Sequence, residues 1–356
     1  RIKYQFVFQD QLPWFDINTL DSTYINTNTK SQKSQFNVAL NSKVSSDFYF
    51  DYGFQAYQQR SAIIMRNQTF SLNNENRINF EDAALYAELF YRSKWGSILL
   101  GGRLESHTFV RNQFAPRIAY SKIFKIFYLK SMFSEAFKIP TLQNFNNASL
   151  GTGLMPEKVR MYEATIGFTL KNRFFGELSI YHTEIRNPIS YVYDGVNESY
   201  QNRRSAGTEG MDAWMQFQWM KSKLKISATY YRVIKTTDFQ EMEVHLNQRA
   251  YWGMPNYRFG MYYTKNFSKQ WSLHLAGMIQ DLFFVDYIPN DFVRNGPIFN
   301  ISIQKASEKI KNLRFNIGMT NLLNSQVWIG SPYSTTLSIM PLYQRQFCIS
   351  MQYKLD

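Results

Sequence analysis

The sequence predicts an all-β fold, a transmembrane antiparallel β-barrel with about 16 strands present, and three observations carry that prediction. The first is composition. Aromatic residues make up 17% of 356 residues, with 30 Phe, 24 Tyr and 7 Trp, yet mean hydropathy is −0.38. No run approaches the roughly 18 consecutive apolar residues that a membrane-crossing helix needs. A barrel strand shows lipid only every second side chain, so such a chain averages out polar, and interfacial girdles of Tyr, Trp and Phe absorb the aromatic excess. The second observation is strict alternation, and the third is the rhythm of the connectors.

Alternation with period two runs from end to end. Leu224, Ile226, Ala228 and Tyr230 alternate with Lys225, Ser227, Thr229 and Tyr231, and Phe299, Ile301 and Ile303 with Asn300, Ser302 and Gln304. Phe315, Ile317 and Met319 alternate with Asn316, Gly318 and Thr320; Phe347, Ile349, Met351 and Tyr353 alternate with Cys348, Ser350 and Gln352. One face is apolar and the other small or polar. In a soluble sandwich the apolar face meets a core; in a porin-like barrel it meets lipid and the polar face a wet lumen.

Connector lengths separate these two readings, because outer-membrane barrels pair short periplasmic turns with long outer loops. The short connectors are Lys43 to Asp47, Arg92 to Lys94, Lys122 to Lys125, Lys171 to Arg173, Lys221 to Lys223, Asn266 to Gln270 and Ser307 to Lys311. Between them stand long ones: Asp10 to Lys33, Arg60 to Phe80, Glu105 to Gln113, Phe137 to Lys158, Arg186 to Ser205, Thr236 to Asn256, Phe284 to Gly296 and Asn321 to Gln344. Eight long loops and seven short turns imply about sixteen strands, with a periplasmic C-terminus.

Formal net charge is +13, from 40 Lys+Arg against 27 Asp+Glu. Nearly every short turn carries Lys or Arg, so part of this charge sits as small clusters at one rim. Nucleic-acid binding would want a basic stripe interleaved with exposed aromatics; here the aromatics belong to the strand alternation, and no nucleic-acid partner is expected. A single cysteine, Cys348, excludes an intrachain disulfide. The chain opens at Arg1-Ile2-Lys3-Tyr4 in a strand-like alternation with no leader pattern, which reads as a removed signal or a start in mid-protein.

Beyond residue 98 the motifs resemble a known family. Leu99-Leu100-Gly101-Gly102-Arg103-Leu104-Glu105, then Pro116-Arg117, then Ser134 through Phe137, Pro140, Thr141 and Leu142 follow in order. Next come Leu154-Met155-Pro156-Glu157-Lys158, Tyr162-Glu163, the stretch Tyr181 to Ile189, Asn202, Ala206, Gly207 and Gly210, Pro255, Asn321-Leu322-Leu323-Asn324 and Arg345. Their order and spacing are similar to the barrel signature of TonB-dependent outer-membrane receptors. The resemblance implies a 22-stranded barrel filled by an N-terminal plug. Residues 1–356 then form its C-terminal portion, with the plug and about six strands absent. The prolines Pro116, Pro140, Pro156 and Pro255 are read as starting strands or turning loops, and Gly101, Gly102 and Gly207 as points of bulge or close approach. With Arg117, Phe137, Thr141, Glu157, Glu163, Asn321 and Leu322 they form an architectural set.

No catalytic constellation stands out. His107, His182, His245 and His274 are scattered, with no metal-ligand spacing, and no metal, cofactor or enzyme activity is expected. Binding is expected in the loops, where aromatic rings and amides gather: Trp14 with Asp16, Asn144 with Asn146, Tyr251-Trp252, Asp286-Tyr287, and Trp328 with Tyr333. Loop cations including Arg60, Arg66, Arg77, Arg203, Arg204, Arg249 and Arg294 suit lipopolysaccharide phosphates or an anionic ligand. The resemblance implies energy-coupled uptake of a scarce nutrient of siderophore, vitamin, sugar or peptide class, with an inner-membrane TonB complex and a surface lipoprotein as partners. Two alternatives stay open: a passive 16-stranded pore, and a docking barrel within an envelope complex.

Overall fold

The computed structural model describes residues 1–11, 29–63, 70, 74–146, 148, 153–193, 198–237, 254–281, 283–284, 292–310, 312–330 and 339–354. Its strands are β1 (Ile2–Gln11), β2 (Thr29–Lys43), β3 (Phe48–Ile63), β4 (Arg77–Ser93), β5 (Gly96–His107), β6 (Val110–Phe124) and β7 (Phe127–Lys138). A short helix α1 (Leu142–Asn146) precedes β8 (Glu157–Leu170), β9 (Phe174–Arg186), β10 (Ile189–Tyr193), β11 (Glu198–Asn202), β12 (Ser205–Trp219) and β13 (Ser222–Thr237). Then follow β14 (Tyr257–Asn266), β15 (Trp271–Gln280), β16 (Phe283–Phe284), β17 (Phe292–Val293), β18 (Ile298–Ala306), β19 (Leu313–Thr320), β20 (Trp328–Gly330), β21 (Ile339–Pro341) and β22 (Gln346–Tyr353).

Sixteen of these form one sheet in the order β1 to β9, β12 to β15, β18, β19, β22; the hairpins β10–β11, β16–β17 and β20–β21 stand in the connectors. The residues group into two compact units, one of Arg1–Ser121, Met132–Tyr162 and Glu184–Ser205, the other of Lys122–Ser131, Glu163–Thr183 and Ala206–Asp356.

In the first unit, register shows how alternation becomes two chemistries. Tyr4, Val38, Phe54, Leu85, Leu104 and Phe114 pair across six strands in one row. The adjacent row, on the other face, is Gln5, Asn37, Gln55, Ala84, Glu105 and Gln113. The apolar row is the exposed one: Leu85 is 59% and Phe114 55% exposed, while Glu105 is 9% and Gln113 6%. A soluble protein would have this the other way round; solvent for the apolar face is lipid. The second unit repeats the pattern. Leu224, Tyr263, Leu275, Ile301, Met319 and Phe347 form an apolar row beside Lys223, Thr264, His274, Ser302, Gly318 and Cys348.

The short connectors stand where expected, between β2 and β3, β4 and β5, β6 and β7, β8 and β9, β12 and β13, β14 and β15, and β18 and β19. Three expectations need correction. The stretch Glu105 to Gln113 is strand, not a long connector: β5 and β6 run on to a turn at Thr108-Phe109 with an irregular register between Glu105 and His107. Pro116 does not start a strand but sits inside β6, opposite Gly102. Gly101 has only ordinary contacts, whereas at Gly102 an added Cβ would stand 2.9 Å from the Phe114 ring and at Gly207 2.9 Å from the Thr183 carbonyl. Close approach therefore holds for the latter two, and the irregularity lies four residues on.

A candidate ligand-facing site under the loops of the first unit

At its loop end the polarity of β4 inverts. Arg77, Asn79 and Glu81 are exposed on the face that lower down carries Leu85, while Ile78, Phe80, Asp82 and Ala84 are buried on the other. The apolar band thus ends at Ala83, and the strand continues into a region with water outside and a small apolar core inside. That core is Ile63, Phe70, Ile78, Phe80, Phe145 and Leu154, with Phe109, Leu142 and Tyr200 packed against it. The Phe80 and Phe109 rings meet edge to face at 5.1 Å, and Phe145 lies 5.9 Å from Phe109. Aromatic pairs of this kind add about 0.5–1.5 kcal/mol each beyond burial. Four connectors are tied into one body by these contacts, those following β3, β5, β7 and β9.

Main-chain bonds from loop side chains reinforce it. Thr141 and Asn144 cap each other: Thr141 N–H donates to Asn144 Oδ1 (2.9 Å) and Asn144 N–H to Thr141 Oγ1 (3.3 Å), which starts α1 and turns Phe145 inward. Asn202 Oδ1 accepts from Met155 N–H (2.7 Å), while its amide donates to the carbonyls of Met155 (2.9 Å) and Asn187 (2.8 Å). Glu157 accepts from Ile189 N–H (2.7 Å) and pairs with Lys138 at 3.1 Å. These residues pin the β10–β11 hairpin to the start of β8.

Beneath the apolar core the inner face is lined with charge. Register sets Tyr57, Asp82 and His107 in one row, Gln55, Ala84, Glu105 and Gln113 in the next, and Gly53, Tyr86, Arg103 and Ala115 below. Arg103 Nε donates to Glu105 at 2.6 Å, and Arg117 lies 3.7 Å from Glu88. Tyr57, Tyr86, Glu88, Arg103, Glu105 and Arg117 line a cavity of about 480 Å³. Asp82 is 4% exposed, and neither carboxyl oxygen has a hydrogen-bond partner in the structure. Two aromatic hydroxyls, the three carboxylates of Glu88, Glu105 and Glu135 and two guanidiniums around one recess can orient a polar solute; no nucleophile–base pair is assembled among them.

The expected binding residues fare unevenly. Trp14, Asp16, Tyr251, Trp252, Asp286, Tyr287 and Tyr333 lie outside the described residues. Asn144 serves as a helix cap, and Asn146 ends the same helix. Trp328 lies on β20, in the second unit, where Asn295 clasps its main chain through bonds of 2.7 and 3.0 Å. Phe70, Phe80 and Phe109, which converge with Phe145, were not singled out by sequence. The signal was present in Ile78-Asn79-Phe80, an alternation continuing into what reads as a loop.

Residues of the architectural set make local main-chain and side-chain contacts. Asn321 and Asn324 adopt left-handed φ of 48° and 53°. Asn321 N–H donates to Asn300 Oδ1 (2.9 Å), its Oδ1 accepts from Ser325 N–H (2.9 Å), and Leu322 N–H donates to the Phe299 carbonyl (2.7 Å). Glu163 accepts from Thr165 Oγ1 at 3.2 Å. Pro140 and Pro156 stand at the two ends of the α1 connector, Phe137 borders the recess, and His274 is held by the hydroxyls of Tyr262, Thr264 and Ser272.

Comparison with known proteins decides the family. The family model described as TonB dependent receptor-like, beta-barrel matches residues 1–330. The chain belongs to that family. Solved receptor barrels share its fold. The siderophore receptor PirA from Acinetobacter baumannii has a TM-score of 0.73 at 15% identity, covering 99% of this chain and 59% of its own. A variant of the ferric enterobactin receptor PfeA from Pseudomonas aeruginosa, in complex with enterobactin, gives 0.73 at 14%, covering 98% and 59%. The FrpB iron transporter from Neisseria meningitidis gives 0.72 at 12%, covering 91% and 56%. No curated protein sequence matches. This receptor barrel thus spans under three fifths of the length of those structures, and its all-β, outer-membrane character follows from the family.

Proposed function

We propose that the protein is the barrel of an energy-coupled outer-membrane transporter that captures a scarce nutrient beneath its joined loops. The observation that carries the reading is the loop body of the first unit, which holds four connectors together above a charged, tyrosine-bearing inner face. A passive pore gains nothing from such a body, which narrows a mouth; a receptor needs its loops preorganised. In this reading the short turns and the C-terminus face the periplasm, the loops face outward, and a plug domain in the lumen answers to a TonB complex. The similar structures named above are siderophore receptors and an iron transporter, so ferric siderophores are the cargo class to test first, before vitamins, sugars and peptides. Loop cations contact lipopolysaccharide, and a surface lipoprotein is a further partner to be sought by co-purification.

The test is uptake by cells that carry the full-length gene or a deletion, each with and without a functional TonB complex. Uptake of a labelled ferric siderophore or other scarce nutrient that disappears in both the deletion and the TonB-deficient strain is expected. Uptake indifferent to TonB would sink the reading in favour of a pore. Stoichiometric co-purification with envelope proteins and no uptake defect would favour a docking barrel.

A further inference from the structure

We infer that the short-turn end of the second unit is a binding surface for anionic glycerophospholipid headgroups. Its turns run side by side. Thr169 N–H donates to the Ile126 carbonyl (2.8 Å), Gln218 N–H to Arg173 (2.7 Å), Asn266 N–H to Lys221 (2.8 Å) and Ala306 N–H to Gln270 (2.8 Å). Along this edge Lys125, Lys171, Arg173, Lys221, Lys269 and Lys309 are exposed. None of them shares an ion pair with a carboxylate among the described residues. Against these six, Glu308 is the one carboxylate on the described turn residues.

Charge alone would suit any solvated rim. The apolar residues beside it do not. Met220 is 85% exposed, Phe267 59%, Ile310 51% and Ile126 41%, and Trp219 and Trp271 flank them at 54% and 42%. They continue the apolar face of the strands up to and into the turns. Lys305 Nζ lies 4.9 Å from the centre of the Trp271 ring. Apolar side chains sunk to the depth of the glycerol backbone, with long cationic side chains reaching past them, match a lipid headgroup layer. Lysines with no acidic counterparts select headgroups with net negative charge.

The turn conformations point the same way. Lys125 (φ 53°), Lys171 (φ 50°) and Met220 (φ 49°) are left-handed. Gly or Asn adopts that conformation far more easily, as in the tight turns joining paired strands. Keeping Lys and Met there costs stability, and the return is a cation or an apolar anchor at the tip of each hairpin. The inference uses the orientation proposed above only to name the leaflet, the periplasmic one; selection among lipids does not depend on it.

The full-length receptor is reconstituted in phosphatidylcholine nanodiscs with spin-labelled phosphatidylglycerol or phosphatidylcholine, and the motionally restricted fraction of each label is measured. Phosphatidylglycerol should be favoured about threefold at low ionic strength and drop to parity near 1 M salt, where screening is nearly complete. The variant with Lys125→Gln, Lys171→Gln, Arg173→Gln, Lys221→Gln, Lys269→Gln and Lys309→Gln should lose the preference. Lys138→Gln, Lys158→Gln and Arg186→Gln, in the first unit, should retain it. Should the sixfold variant fail to fold, Lys125→Gln, Lys221→Gln and Lys269→Gln together should roughly halve the preference. Equal association of the two lipids with the wild-type receptor, or a preference that survives neutralisation, overturns the inference. A wrong orientation would appear separately, as labelling of Lys269→Cys from outside intact cells.

Discussion

At the scale of single residues, two positions make sharp predictions. Asp82 is enclosed without a hydrogen-bond partner, and Glu105, itself held by Arg103, occupies the next row of the same face. Burying a carboxylate beside another carboxylate is costly, whereas an amide can donate to the neighbour. Asp82→Asn is expected to leave the thermal transition of the purified receptor unchanged or raise it; a lowered midpoint would show that the negative charge itself is needed. Gly167 lies under the Tyr128 ring, which would stand 2.1 Å from an added Cβ, and the Tyr128 hydroxyl donates to Glu177. Gly167→Val should destabilise by about 1–3 kcal/mol through overpacking. Combining it with Tyr128→Ser should recover part of that loss in urea unfolding from vesicles, because the ring is the obstacle.

At the scale of elements, alternation assigns opposite costs to neighbours on one strand. Ile301 belongs to the exposed apolar row and Ser302 to the polar one. Ile301→Arg should cost about 2–4 kcal/mol of folding free energy in a bilayer, whereas Ser302→Arg should change it little; equal losses would contradict the facing of β18. The strand faces and the seven short turns were legible in the sequence because period-two polarity and Lys-bearing breaks are local signals. The upper part of β4 was not. There Ile78 and Phe80 face the loop core and Asn79 and Glu81 face water, so the polarity rule of the membrane band runs backwards. The same reversal made Glu105 to Gln113 read as a loop.

At the scale of the whole molecule, the loop body is where the proposed function can be tested. Phe145 is 5% exposed at the meeting point of its rings, and Phe145→Ala should remove about 3–5 kcal/mol from that local core. Hydrogen exchange in residues 142–146 and 198–202 should accelerate while the strands β2 to β5 stay protected, and cargo capture should weaken with no change in barrel folding. Protection unchanged in both segments would mean that the loops do not depend on one another. Asn144, expected as a ligand contact, also caps the helix that delivers Phe145.

The sequence by itself determined the fold class, the strand number, the turn positions and the family motifs. All of these rest on patterns within one strand or one hairpin, which lipid on one face and a wet lumen on the other impose directly. Tertiary structure alone decided which loop residues meet. Phe70, Phe80, Phe109 and Phe145 are far apart in the chain and share no spacing; the pairing of β3 through β6 brings the first three to one place, and α1 packs Phe145 against them. It also decided that Asp82 stands beside Glu105 and that the lysine-tipped turns form one continuous edge, since both follow from the register of neighbouring strands.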